Sequence, residues 1–350
     1  MNKRTPRGYG LWMGQLQPGQ QNDLCDVPGV LVGNVTLVRG NGPLVPGQGP
    51  VRTGVTAIRP HPGNLYRNPC WAGIHIFNGF GKSVGVPFIQ ETGILNSPIL
   101  LTNTLSVSAA AQGLLTYLLN QNPEIGNDAR TPNLVVFECD DSYLNDIRGQ
   151  HVKPSDAILA LSRAKNSRVL QGNVGAGTGM SAFQLKGGIG SSSRLIRRKD
   201  QSYVLGMLAL ANFGLLQDLL INGVPVGQLL SFDAEGYCPG SLILIGLTNA
   251  PLSRWQLQRL AQRAFLGLAR TGGISRTGSG EFCLVVNTLG LGIKDQISDW
   301  EMDDFYQAVV EVSAESIWNS LFLAQTMEGR DGRVRYALPH EVVLRLFNKR

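Results

Sequence analysis

Glycine sets the first limit on what this chain can become. It supplies 43 of the 350 residues, against a usual share of about 7%, and it falls between short β-branched runs. There is no Gly-X-Y period and there are only 18 prolines, so a collagen helix is excluded. Runs such as VLVGNVTLV (30–38) and VRTGVTAI (51–58) are separated by NGPLVPGQGP (41–50). They read as strands and turns, because β-branched side chains suit a pleated surface while Gly and Pro mark reversals. Further short apolar runs at 72–77, 99–102, 134–138, 203–210, 242–247 and 282–286 extend the series.

Helical patterns alternate with these strands. Residues 104–119 are rich in Ala and Leu, and 155–164 read as a shorter helix. After Ser253, the residues Leu257, Leu260, Ala261, Ala264, Phe265 and Leu268 share one helical face, and Gly272 supplies a stop. Ser298 and Glu301 are spaced as a capping box, which predicts a last long helix running to about Met327, with Val309, Val312, Ile317 and Leu321 inward. Residues 1–30 read as an arm or opening loop. With no repeat of 20–50 residues and no low-complexity linker, the alternation predicts one large α/β domain over residues 1–350.

Composition narrows the function classes. A chain that is 43% hydrophobic and 16% charged can bury a large core and is not of disordered type. The net charge of +6 is scattered, without the aromatic-interleaved basic stripe of a nucleic-acid binder. Cys25, Cys70, Cys139, Cys238 and Cys283 are odd in number, far apart and free of any C-x-x-C pair, the usage of a reducing compartment. No run has the apolar length of a signal peptide or membrane span. A soluble cytoplasmic protein with neither nucleic-acid nor membrane partner is expected. His61, His75, His151 and His340 are isolated and lack zinc spacing, so no metal and no cofactor is expected.

The common catalytic signatures are missing. QGNVGAGTGM (171–180) has G-x-G-x-G spacing at Gly175, Gly177 and Gly179, which is not the dinucleotide fingerprint, and Lys186 in KGGIGSSSR (186–194) lacks a Walker context. These glycines read as tight turns that let backbones approach closely, with a cleft-lining loop as the alternative. The latter would suit a non-catalytic Gly-rich ligand-binding protein. No G-x-S-x-G elbow exists, so a nucleophilic serine here has no need of a histidine base. Glu138, Asp140 and Asp141 cluster just past the strand LVVFE, where functional groups often emerge.

Ser241 follows Gly240 at the head of the run Leu242–Ile245, which by itself reads as a turn entering a buried strand. Around it the blocks LQPGQQNDLCDVPGVLVGNVTLV (16–38), GPVRTGVTAI (49–58), QGNVGAGTGM, KGGIGSSSR, ALANFG (209–214), GSLILIGLTNAPL (240–252) and RTGSGEF (276–282) occur in order. Together, over roughly residues 15–340, they resemble the self-processing aminopeptidases, a family that includes the L-aminopeptidase/D-Ala-esterase/amidase and the β-peptidyl aminopeptidases, with nylon-oligomer hydrolase as a more distant relative.

The resemblance implies a four-layer αββα sandwich, like the N-terminal-nucleophile hydrolases in architecture but differently connected. It implies an inactive precursor that cuts its own Gly240–Ser241 bond, giving residues 1–240 and 241–350, which stay associated and assemble as homo-oligomers. Gly240 would tolerate a strained backbone for that step. Ser241 would be the nucleophile, with its newly freed α-amine as base. Asn212 matches the family's oxyanion-hole asparagine, and Ser279 and Glu281 match a Ser-x-Glu pair beside the nucleophile. The family segment E-T-Y-D-G-x-L-N-D reads here as ECDDSYLND (138–146), which puts Asp140 in the tyrosine's place and leaves Tyr143 as a candidate substitute. The expected substrates are short peptides, amides or esters with small N-terminal residues, including β-amino acids and D-Ala. Amides of ω-amino acid oligomers are the alternative.

Overall fold

A computed structural model describes residues 5–11, 14–198, 201–230 and 240–348; Cys238 lies outside the described residues. The first half of the chain lays down β1 (Leu31–Arg39), β2 (Val51–Arg59), β3 (Cys70–Gly79), β4 (Ile94–Leu95), β5 (Ile99–Asn103) and β6 (Val135–Cys139), with helices α1 (Val86–Thr92), α2 (Val107–Gln121) and α3 (Pro154–Ser162). The second half adds β7 (Ser181–Ala182), β8 (Leu185–Lys186), β9 (Gly188–Arg198), β10 (Gln201–Asn212), β11 (Ser241–Thr248), β12 (Gly280–Asn287), β13 (Met327–Glu328) and β14 (Val334–Arg335). Its helices are α4 (Val226–Leu229), α5 (Arg254–Arg270), α6 (Asp303–Phe322) and α7 (His340–Asn348).

The strands form a four-stranded sheet in the order β1-β2-β5-β6 and a six-stranded sheet in the order β4-β3-β12-β11-β10-β9, beside the short pairs β7-β8 and β13-β14. Strand alternation makes the layers. In β11, Leu242 and Leu244 join the cluster that contains α5 and α6, whereas Ile243, Ile245 and Leu247 join a second cluster with Ile99, Leu101, Val135 and Phe137 of the smaller sheet. A period of two therefore commits one face of each strand to helices and the other to the opposing sheet. Val35, Val55 and Leu100 cover the outer face of the smaller sheet with Ala110 and Leu114 of α2 and Ala157 and Ala160 of α3. The result is a four-layer αββα sandwich.

Several expectations shift. Ser298 caps only a 3-10 turn, accepting from Trp300 N, and α6 starts at Asp303 and stops at Phe322 rather than near Met327. The capping box forms instead on α5, between Ser253 and Gln256. The stretch KGGIGSSSR is mostly strand β9, not a run of turns. Its glycine serves packing: a Cβ at Gly190 would lie 1.9 Å from the Ser316 carbonyl oxygen of α6, so the helix rests directly on the sheet.

The opening segment is no loose arm. Leu24, Cys25, Val27 and Val30 are buried between the sheets. Glu311 accepts from the backbone of Gln15 at 2.6 Å, and Arg194 bridges Glu311 at 2.7 Å and Glu315 at 2.6 Å, these three side chains being fully buried. Buried charges persist when paired in this way.

Candidate active site

Three strand ends meet at one edge of the larger sheet. Asn212 closes β10, Ser241 opens β11 and Gly280 opens β12, and the register pairs Asn212 with Ser241 and Ser241 with Gly280. Alternation then sets direction. Ser241 shares the inter-sheet face with Ile243, Asn212 shares it with Leu210, and Cys139 on the opposing sheet shares it with Phe137. Cys139 Sγ donates to the Leu210 carbonyl at 3.7 Å, which ties the two sheets together at this end.

Ser241 is 5% exposed, and its Oγ donates to the Gly240 carbonyl oxygen at 2.5 Å. Gly240 is crowded by its neighbour across the sheet. A Cβ there would meet Ser279 Cβ and Oγ at 2.5 Å.

Ser279 and Glu281 flank this point. Ser279 Oγ and Glu281 Oε1 are buried with no hydrogen-bond partner among the described residues. Glu281 Oε2 accepts from Ser275 Oγ at 2.6 Å. Burial pushes the Glu281 carboxyl above its ordinary value, an effect that the Ser275 hydrogen bond partly offsets. Beside them opens a cleft of about 600 Å³, lined by Gly240, Ser279 and Glu281, with Phe213 and Ile274 as apolar lining. Arg276 also lines it and is paired to Asp218 at 2.5 Å.

The Asn212 amide is oriented from both ends. Its Oδ1 accepts from Ser181 N at 2.7 Å, and its Nδ2 donates to the Asp140 carbonyl at 2.8 Å. Asp140 thus contributes a main-chain acceptor, while its carboxylate accepts from Ser142 N at 2.7 Å.

The acids around Asp140 serve the scaffold. Glu138 accepts from Lys82 N at 2.7 Å and from the Thr104 hydroxyl. Asp141 is fully buried and accepts from Asn145 Nδ2 at 2.9 Å, and burial raises its pKa to about 7. Lys186, also buried, donates to the carbonyls of Met180 and Gly187 at 2.8 Å, and burial lowers its pKa to about 7.

The structure brings Ser241, Asn212, Gly240, Ser279 and Glu281 together. Tyr143 stands apart from the cleft lining, with the Arg335 guanidinium 3.5 Å above its ring. The Gly175–Gly190 run does not line this cleft either; Gly175, Gly177, Gly179, Gly187, Gly188 and Gly190 are buried. Sequence reasoning missed Ser181, Ser275, Asp218, Arg276 and Arg335. Arg276 lies within the RTGSGEF block, Ser275 directly before it and Ser181 directly after QGNVGAGTGM, so these were within reach, whereas Asp218 and Arg335 carry no local signal. Among the described residues no group of three His, Cys, Asp or Glu side chains is placed to hold a metal ion, and no helix is long and apolar enough to cross a membrane.

Comparison with known proteins finds relatives of the whole chain. The model for peptidase family S58 matches residues 22–335. The beta-peptidyl aminopeptidase BapA of Sphingosinicella xenopeptidilytica is 36% identical, over 95% of this chain and 88% of the relative. Among solved structures, the PH0078 protein of Pyrococcus horikoshii is 46% identical with a TM-score of 0.95, covering 99% of both chains. The L-aminopeptidase D-Ala-esterase/amidase of Ochrobactrum anthropi is 31% identical with a TM-score of 0.88, covering 97% of this chain and 96% of that one; it is described as a prototype of the serine aminopeptidases and a variant of the Ntn-hydrolase fold.

Proposed function

Since this chain belongs to peptidase family S58, we propose that it matures by cutting its own Gly240–Ser241 bond and then releases small N-terminal residues from short peptides, amides or esters, β-amino acids among them. The observation that carries the reading is the approach of Ser241 Oγ to the carbonyl of Gly240, 2.5 Å from its oxygen, at the register point where Asn212 faces Ser241.

In maturation, Oγ attacks the Gly240 carbonyl carbon and the peptide C–N bond breaks, leaving an ester between Gly240 and the Ser241 hydroxyl. The Oγ proton passes to the departing nitrogen, which becomes the free α-amine of Ser241, and water then hydrolyses the ester to a carboxylate on Gly240 and a restored Ser241 hydroxyl. The same residue then holds nucleophile and base. An ordinary α-amine has a pKa of about 7.7–8.0, near the optimum for a general base at neutral pH.

In turnover, the α-amine takes the Oγ proton as Oγ attacks the substrate carbonyl, then delivers it to the leaving amine, and water hydrolyses the acyl-enzyme. Asn212 Nδ2 stabilises the oxyanion. Glu281 orients the Ser241 amine or holds the substrate ammonium, and Ser279 relays a hydrogen bond between them.

Two finer points belong to the same proposal. The cleaved pair assembles as a homo-oligomer in solution. The protein works in the cytoplasm, a placement supported by four buried, unpaired cysteines, Cys25, Cys70, Cys139 and Cys283.

The deciding experiment is N-terminal sequencing of the purified protein, followed by hydrolysis of β-alanyl, L-alanyl, D-alanyl and 6-aminohexanoyl amides. A second N-terminus beginning Ser-Leu-Ile, with turnover of the alanyl compounds, is expected. A chain that stays whole yet is fully active overturns the mechanism, and preference for the 6-aminohexanoyl amide selects the ω-amino acid reading instead.

A further inference from the structure

Arg335 is an unusual residue to find at the back of this site. It is 2% exposed, it belongs to the short strand β14 near the C-terminus, and its Nε donates to Ser181 Oγ at 3.1 Å. Its guanidinium carbon lies 3.5 Å from the centre of the Tyr143 ring, within the range of a cation–π contact, which strengthens when both groups leave water. Ser181 in turn gives its backbone N–H to Asn212 Oδ1 at 2.7 Å. These contacts form one continuous path from the Tyr143 ring through Arg335 and Ser181 to the Asn212 amide. Tyr143, Ser181 and Asn212 precede residue 241, whereas Arg335 follows it, so a cut at Gly240–Ser241 would place Arg335 on the other fragment.

We infer that Arg335 is a positioning residue for the oxyanion-stabilising amide: stacked on Tyr143, it fixes Ser181, and Ser181 fixes the angle at which Asn212 presents its Nδ2. The inference rests on the functional reading above, because the amide needs a defined angle only if it meets a developing negative charge. Electrostatic stabilisation of this kind depends on donors held in place before the reaction, and small displacements of a catalytic group have large kinetic costs. The ring of Tyr143, not its hydroxyl, carries the effect. Tyr143 therefore acts on the site from a distance, although it does not line the cleft.

The test compares Arg335→Met, Tyr143→Phe and Tyr143→Leu with the wild-type chain on β-alanyl p-nitroanilide, with rates normalised to matured molecules and folding checked by thermal denaturation. Arg335→Met is expected to lower kcat about ten- to a hundredfold with KM changed less than about twofold, the pattern of an interaction made only in the transition state. Tyr143→Phe is expected to keep at least half of kcat, and Tyr143→Leu to lose most of it. In an Asn212→Ala background, Arg335→Met is expected to cost less than about a further twofold, because residues acting through one group are not additive. Three results would overturn the inference: a folded Arg335→Met enzyme with unchanged kcat, equal damage from Phe and Leu at position 143, or full additivity with Asn212→Ala. If Arg335→Met does not fold, the Phe and Leu pair, which leaves Arg335 in place, decides alone. A wild-type chain that neither cuts itself nor hydrolyses the amide sinks the functional reading and this inference with it; turnover by wild type with no effect at Arg335 sinks only the latter.

Discussion

Ser241 Oγ stands 2.5 Å from the carbonyl oxygen of Gly240, so the hydroxyl proposed to attack and the carbonyl proposed to be attacked belong to consecutive residues. Ser241→Ala removes the hydroxyl and nothing else of size. On a denaturing gel the variant should run as one chain of 37.8 kDa, while the wild type resolves into two fragments. Fragments of the same size from the alanine variant would mean that some other group makes the cut.

The crowding of Gly240 against Ser279 gives a separate handle on maturation. A methyl group at position 240 would sit 2.5 Å from Ser279 Cβ. Overpacking of this kind costs about 1–3 kcal/mol, so Gly240→Ala should slow the appearance of fragments by about ten- to a hundredfold. A time course after synthesis reads this directly, and unchanged kinetics would show that the two residues are free to separate.

Asn212→Ala deletes the proposed oxyanion donor while sparing the nucleophile. Loss of one such donor typically lowers kcat by about 10²–10³. Steady-state kinetics on matured enzyme should show that loss with little change in KM. A change confined to KM would move Asn212 from the chemical step to ground-state binding.

Burial holds the Glu281 carboxyl above its ordinary 4.5. If the carboxylate form pairs with an ammonium, kcat/KM must fall as pH drops through this raised value, so the acid limb of the profile should lie above pH 4.5. Glu281→Gln should remove this lower limb, leave the one set by the Ser241 α-amine at about 7.7–8.0, and lower activity across the range. A lower limb unchanged in the glutamine variant would assign it to another group.

Asp141 makes a prediction about stability. Its pKa is 3.8 in an ordinary setting and about 7 in the folded chain, so the folded state holds a proton that the unfolded state releases. Its stabilising contribution is complete below about pH 4 and disappears as pH rises through about 7. Lys186, lowered from 10.5 to about 7, acts in the opposite sense and only above that window. Asp141→Asn should therefore flatten the decline in melting temperature between these two pH values. A decline as steep as that of the wild type would place its origin elsewhere.

The strands were legible because their signal is local. The unbroken apolar run Leu242–Ile245 reads as a buried strand without knowledge of partners, and the helical face from Leu257 to Leu268 is equally self-contained; which sheet face each strand residue takes emerges only from the packing. Ser298 and Glu301 misled because capping-box spacing says nothing about whether the next turn tightens into 3-10 geometry. In the site, Ser241, Asn212, Ser279 and Glu281 were found through ordered blocks of resemblance, whereas Arg335 reaches Ser181 across 154 residues and leaves no trace in either neighbourhood. Gly240 was matched through the same blocks, whereas its crowding by Ser279 is invisible until β11 and β12 lie side by side.

The order of strands in the larger sheet has a consequence for what a cut can do. β11 and β12 lie in its middle, with β10 and β9 on one side and β3 and β4 on the other. Severing the chain before β11 would make the shorter fragment a keystone: two ladders of the longer fragment would meet only through it. Pulling the pieces apart would mean unzipping the sheet at its centre, so the new terminus gains chemical freedom without mechanical freedom.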